Sequence, residues 1–238
     1  MKISVCMATY NGTKTIAKQL TSILKQLSAN DQVVIIDDCS TDDTVRLVEQ
    51  LTSHFSGEII LKKNASNQGP IKTFETALGL ANGDLILLSD QDDEWFDDKV
   101  SRITEVFIKQ QADLIVHDAV VIGRQGESID DSWNHYNQNN VNQTVVGNLI
   151  KNGFTGAMMA VSKKLLDDSL PFPDNIEMHD QWLFLVAKKK KLKIAVIEAP
   201  LMAYVRHGGN VTGMTKRSIN KVLTGRIKML SNYMKIGR

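Results

Sequence analysis

Apolar residues recur along the chain in two alternating rhythms. Residues 3–7 (ISVCM) form a short apolar run that predicts a strand and gives way to the polar turn Thr9-Tyr10-Asn11-Gly12. Ile16, Leu20, Ile23, Leu24 and Leu27 then fall at helical intervals. Residues 32–36 (QVVII) predict a second, buried strand ending in Asp37-Asp38-Cys39-Ser40. Ser40, followed by Asp42 and Asp43, has the pattern of a helix N-cap with an acidic first turn, continued by Val45, Leu47, Val48 and Leu51. Residues 58–61 predict a third strand. Phe74, Ala77, Leu78 and Ala81 predict a third helix, stopped by Asn82-Gly83. Residues 84–89 predict a fourth strand ending in Asp90-Gln91-Asp92-Asp93, followed by a helix near 97–110 and a strand over 113–117. Strand–helix units of this size imply an α/β chain with a doubly wound, mostly parallel central sheet.

Beyond about residue 119 the rhythm breaks. Residues 123–142 are polar and rich in asparagine and read as a loop or excursion. Strands are predicted over 155–161 and 192–197, with a helix over 179–190 between them. From Ser218 onward, Ile219, Val222, Leu223, Ile227, Leu230 and Met234 share one face of a C-terminal amphipathic helix.

Composition narrows the class. At 238 residues, 42% hydrophobic and 23% charged, the chain suits one large globular domain with a short appendage, and excludes a disordered, collagen-like or disulfide-scaffold protein. No apolar run approaches the ~20 residues of a membrane span, and no signal-peptide core is present, so a cytoplasmic protein is expected. Cys6 and Cys39 lack metal or redox spacing and read as reduced thiols. The net charge is +1, yet residues 199–238 hold eight Lys and Arg and no acid. The other 20 bases and all 27 acids lie in 1–198, a balance of −7. An acidic body with a basic tail points to an anionic surface, and the inner leaflet of a membrane fits an acidic body better than nucleic acid does.

Candidate chemistry sits where open sheets hold ligands, beyond the carboxyl ends of the strands. Thr9-Tyr10-Asn11, Asp37-Asp38 and Asp90-Gln91-Asp92-Asp93 occupy three such ends. No G-x-G-x-x-G or P-loop sequence is present, which argues against a dinucleotide dehydrogenase or a P-loop NTPase. Residues 90–94 place four carboxylates within five positions. These repel one another unless a proton or cation intervenes, and hard oxygen ligands suit Mg2+ or Mn2+. The plain alternative is an acidic turn capping the next helix. Asp38 has the chemistry to accept a base N–H or a ribose hydroxyl, or to cap a helix. Trp95 is either a packing anchor or a wall of a sugar pocket.

Seven segments together resemble a family-2 glycosyltransferase of GT-A fold. They are MATYNG at 7–12, DDCSTDDT at 37–44, Asn67-Gln68-Gly69, LSDQDDEW at 88–95, TGAMMA at 155–160, HDQW at 179–182 and VRHGGNVTG at 205–213. They stand in family order across about residues 3–213, and the SDQDD-W form is similar to bacterial enzymes of surface-polysaccharide synthesis, rhamnosyltransferases among them. The resemblance implies a GT-A domain over 1–213, with a nucleotide-binding part to about 118 and an acceptor part from 119, then a basic helix over 214–238. It implies a metal-dependent, inverting transfer from UDP-hexose or dTDP-rhamnose to a lipid-linked or polysaccharide acceptor. A catalytically inactive nucleotide-sugar-binding or scaffold protein of the same fold is the alternative.

By the same resemblance, Thr9, Tyr10, Asn11, Asp38, Asn67, Gly69, Asp90 and Arg206 would serve the donor. Asp92 and His207 would serve the metal, Mn2+ or Mg2+. Asp180 would be the catalytic base, and Trp95, Gly156 and His179 would line the acceptor or sugar pocket. His179-Asp180 departs from the family's frequent Glu-Asp pair. The resemblance leaves homo-oligomers open and gives no expectation of nucleic acid. The C-terminal stripe either packs on protein or lies against an anionic membrane.

Overall fold

The computed structural model describes residues 1–206 and 219–237. The strands are β1 (Ile3–Thr9), β2 (Gln32–Asp37), β3 (Glu58–Lys63), β4 (Leu85–Ser89), β5 (Glu94–Trp95), β6 (Leu114–Ile122), β7 (Ser128–Asp130), β8 (Met159–Ser162) and β9 (Ile194–Val205). The helices are α1 (Ile16–Leu24), α2 (Thr44–Thr52), α3 (Pro70–Gly79), α4 (Lys99–Gln110), α5 (Trp133–Tyr136), α6 (Val145–Ile150), α7 (Lys163–Ser169), α8 (His179–Lys189) and α9 (Ile219–Lys235).

One sheet runs in the order β3-β2-β1-β4-β8-β6-β9-β5, with β7 beside β6. Strands β1, β2, β3, β4, β6 and β9 point the same way, while β5, β7 and β8 oppose them. The central strands are apolar on both faces because helices cover both. Val5 and Met7 of β1, Val33 and Ile35 of β2, and Leu85 and Leu87 of β4 pack with Ile16, Leu20 and Ile23 of α1. Their alternates Cys6, Val34, Ile36, Ile86 and Leu88 pack with Phe74 and Leu78 of α3 and with Leu183 of α8. This is the period-two pattern of a strand read from both sides.

The structure revises the expected elements in several places. Ser40 caps no helix: α2 begins at Thr44, and the Ser40 hydroxyl donates to Asp37 Oδ1 at 2.5 Å. The 123–142 stretch is no plain loop, since it contains β7 and α5 and buries Trp133. Residues 155–158 form a turn before β8, and β9 extends eight residues beyond 197 to pair with β6 and β5. No helix among the described residues is long and apolar enough to cross a membrane.

Candidate active site

Register brings the polar strand ends together. Thr9 stands opposite Asp37, and Met7 opposite Ser89, so the loops after β1, β2 and β4 leave the sheet side by side. Hydrogen bonds lock them. The Gln91 side chain accepts from Tyr10 N and donates to Tyr10 O, both at 2.9 Å. The Asn11 side chain accepts from Thr41 N, and Asn11 N donates to Ser40 Oγ. Asp38 accepts from Asn64 Nδ2 (2.9 Å), Gln68 N (2.8 Å) and Gly69 N (2.8 Å). Burial pushes the Asp38 carboxyl up, but these donors outweigh it and hold the acid below its ordinary range. Gly69 turns the chain into α3 at φ +80°, a conformation glycine adopts without strain.

Asp90, Asp92 and Asp93 converge next to this frame, each offering an oxygen within 4.8 Å of the others. Burial first, then the neighbouring charges of Asp92 and Asp180, raise Asp90 to about 7. Burial and the same crowding raise Asp93 as well, and its Oδ2 meets no protein donor among the described residues. Lys99 lies buried behind them. Its ammonium donates to Ala157 O at 3.0 Å and sits 4.1 Å from the Trp95 ring centroid. Burial pulls Lys99 down to about 7, against the attraction of Asp93 and Asp90. A crowded trio of hard oxygens with an unsatisfied buried lone pair is the donor set a divalent ion fits.

Asp180 stands in the first turn of α8 and faces the same cleft. Its Oδ1 accepts from Gln181 N (2.6 Å) and Asn152 Nδ2 (2.9 Å). Burial raises the carboxyl to about 6, and these donors oppose the rise. His179 stacks on Phe74 with ring centroids 4.4 Å apart, and neither ring nitrogen meets a partner among the described residues. Burial lowers it to about 4, which keeps the imidazole neutral at pH 7. Gly156 makes room for that ring: a Cβ there would stand 2.5 Å from His179 Nε2.

These groups line one cleft of about 290 Å³. Thr9, Tyr10, Asp38, Asn67, Gly69, Asp90, Asp92, Gly156, His179 and Asp180 border it. Asn11 does not, because its side chain is spent tying the first loop to Thr41. Trp95 does not either: it is 1% exposed, packed in the core beneath Lys99, and so follows the packing-anchor reading. Arg206 lies past the cleft residue Tyr204, its guanidinium 5.8 Å from the Tyr136 ring centroid. His207 falls outside the described residues. Sequence reasoning passed over Gln91, Phe74, Asn152 and Lys99. The first sits inside the acidic motif and was legible there as a loop clasp. The others carry no local signal.

The Glycosyl transferase family 2 model matches residues 4–170. The dTDP-rhamnosyl transferase RfbG of Shigella flexneri is 26% identical over 87% of this chain and 73% of its own. An Escherichia coli UDP-Glc:alpha-D-GlcNAc-diphosphoundecaprenol beta-1,3-glucosyltransferase, WfgD, is 26% identical over 77% of this chain and 68% of its own. Several relatives more than 30% identical match over only 39 to 56% of this chain and 16 to 41% of their own length. Among solved structures, Staphylococcus aureus TarS residues 1–349 with UDP-GlcNAc shares the fold at TM-score 0.77, with 21% identity over 100% of this chain and 68% of that one. The strand-end carboxylates, the GT-A sheet that aligns them and the family match over most of the chain agree: it belongs to glycosyl transferase family 2.

Proposed function

We propose that the chain transfers a sugar from a nucleoside-diphosphate donor to an acceptor hydroxyl with inversion at the anomeric carbon. The observation that carries this is Asp180, a buried carboxylate raised to about 6 that shares one cleft with the three-carboxylate cluster. Asp38 retains acceptor capacity for a base N–H, and Thr9, Tyr10, Asn67 and Gly69 shape the nucleoside end. Asp92, with Asp90 and Asp93 beside it, would hold Mn2+ or Mg2+. Such an ion supplies Lewis-acid neutralisation of the departing diphosphate.

Asp180 takes the proton of the acceptor hydroxyl. The freed oxygen forms its bond to the anomeric carbon on the face opposite the diphosphate, whose C–O bond breaks with the electron pair going to phosphate oxygen. Asn152 and the Gln181 N–H hold the carboxylate in position for this step. His179, neutral and stacked, walls the acceptor side without adding charge beside the base.

UDP-hexose and dTDP-rhamnose are the donors we favour, and the printed activities of RfbG and WfgD support that choice. WfgD's diphosphoundecaprenol substrate supports a lipid-linked acceptor. A catalytically inactive nucleotide-sugar-binding protein would not need a base poised near 6. A donor screen reading nucleoside-diphosphate release, with lipid-linked acceptors and with or without chelator, tests the proposal. Release that needs both acceptor and divalent ion is expected, with Asp92→Asn nearly abolishing it. Full activity in excess chelator overturns the metal role, and no release with any donor overturns the transferase reading.

A further inference from the structure

Helix α9 carries two apolar faces. Met229 is fully buried, and Tyr233 and Ile236 pack with it on the core that includes α8. The other face points away from the protein. Leu223, Ile227, Leu230 and Met234 are 54%, 63%, 46% and 52% exposed, and their four-three-four spacing keeps them in one stripe. The apolar stripe evident in the sequence is therefore not the face that packs on the domain.

The short helix α6 extends this surface. Val146 and Ile150 are 66% and 57% exposed. Arg226 of α9 donates a hydrogen bond to Ile150 O, which joins the two helices. Single exposed apolar residues are ordinary, but six from two joined helices make a patch that a soluble surface rarely carries without a partner.

Charge indicates the partner. Residues 132–166, which contain α6, and residues 199–238, which contain α9, include no Asp or Glu. Lys151 follows Ile150, and Arg226 stands about 60° around α9 from Leu223, so both cations lie beside the patch. Glu177 lies against Gly225, two residues and so about 200° around α9 from Ile227. A second copy docked symmetrically through this face would set cations against cations with no acid from either helix to pair them. An anionic bilayer offers apolar depth to the stripe and negative headgroups to its basic surroundings.

We propose that the α6–α9 face docks on an anionic lipid bilayer. The placement has a use in the chemistry above, on which its role rests. Two residues after Ile150, Asn152 donates to the Asp180 carboxylate, so the patch adjoins the acceptor side of the cleft. Docking there would bring Asp180 to the surface where a lipid-linked hydroxyl is presented.

Sedimentation with vesicles of phosphatidylcholine alone, or mixed with phosphatidylglycerol, tests the docking without turnover. Binding to the mixed vesicles at low salt, loss at high salt and weak binding to phosphatidylcholine are expected. Changing Leu223, Ile227, Leu230 and Met234 together to Gln should lower partitioning by more than about tenfold. Transfer to a soluble acceptor should survive this variant, while transfer to a vesicle-embedded acceptor falls. Failure of the wild-type protein to bind anionic vesicles at low salt overturns the proposal. So does a dimer, seen by light scattering, that the fourfold variant dissociates while vesicle binding is absent. Vesicle binding without transfer to any acceptor would overturn the transferase reading and leave the docking standing.

Discussion

Asp38 and Asp180 sit in the same cleft and are treated in opposite ways. Asp38 is held by three donors from one loop, two of them backbone N–H groups, and its carboxyl stays low and charged. Asp180 is enclosed by α8 and Gly156, and burial lifts it to about 6 against the donors that oppose the rise. The first is built to accept hydrogen bonds without ever taking a proton. The second takes one far more readily, as the proposed role of base requires. The difference between the two ends is the strength of desolvation, since both groups are the same amino acid and each accepts several hydrogen bonds.

The sharpest way to break this contrast is Asp180→Asn. Turnover should fall by ~10²–10⁴-fold, with donor KM little changed. The Asn keeps an oxygen for Gln181 N and Asn152 and removes a buried charge, so the melting temperature at pH 7 should not fall. Near-native kcat would reduce Asp180 to a helix-capping residue, and a product of retained configuration would refute direct displacement.

pH comes next. As the proposed base, Asp180 would work deprotonated, so kcat/KM should drop about tenfold per unit below about pH 6. The stability linkage has the opposite sign. A folded value raised above the ordinary 3.8 contributes stability fully present below 3.8 and lost as pH rises through about 6. Relative to Asp180→Asn, the wild-type protein should lose on the order of 3 kcal/mol between pH 4 and pH 7. Chemical denaturation of both at the two pH values measures it, and parallel stabilities would mean that Asp180 is not desolvated.

Asp38→Ala attacks the other end. It strands Gln68 N–H, Gly69 N–H and the Asn64 amide, at a cost of ~1–3 kcal/mol. Donor KM should rise while kcat holds, and an unchanged KM would detach Asp38 from the nucleoside. The smallest expected effect is Gly156→Ala. Its Cβ would push His179 from Phe74, costing about 1 kcal/mol by overpacking and altering acceptor KM more than donor KM. Equal shifts in both would mean that His179 serves the whole cleft.

The first four strands were legible because each is an apolar run ended by polar residues, and parallel register then forces those ends together. The second half was less so. A four-residue apolar stretch such as β8 carries no mark of its direction, and β5 is two residues long. Two short helices left readable signals in Thr144 and Ser162, whose hydroxyls cap α6 and α7 by accepting from Gly147 N and Leu165 N. Trp133 hides in a polar stretch, donating to Thr155 Oγ1. Lys99 could not be read, because nothing local separates a buried lysine from a solvated one. Asn11 was legible as a loop residue, but whether its amide met a ligand or Thr41 depended on a loop some 30 positions away.

Strand β9, the last in chain order among the described residues, is slotted between β6 and β5, where Ala203 meets Glu94 and Val205 N donates to Asp93. During synthesis from the N-terminal side, the parallel quartet β3-β2-β1-β4 can assemble from residues 3–89 before residues 90–205 are made. The acidic loop, by contrast, waits for a segment more than 100 positions downstream to close over it. Nascent chains stalled before residue 194 should therefore hold a formed β1–β4 sheet and an open acidic loop, so that protease cuts near residues 90–95 and spares β1 to β4.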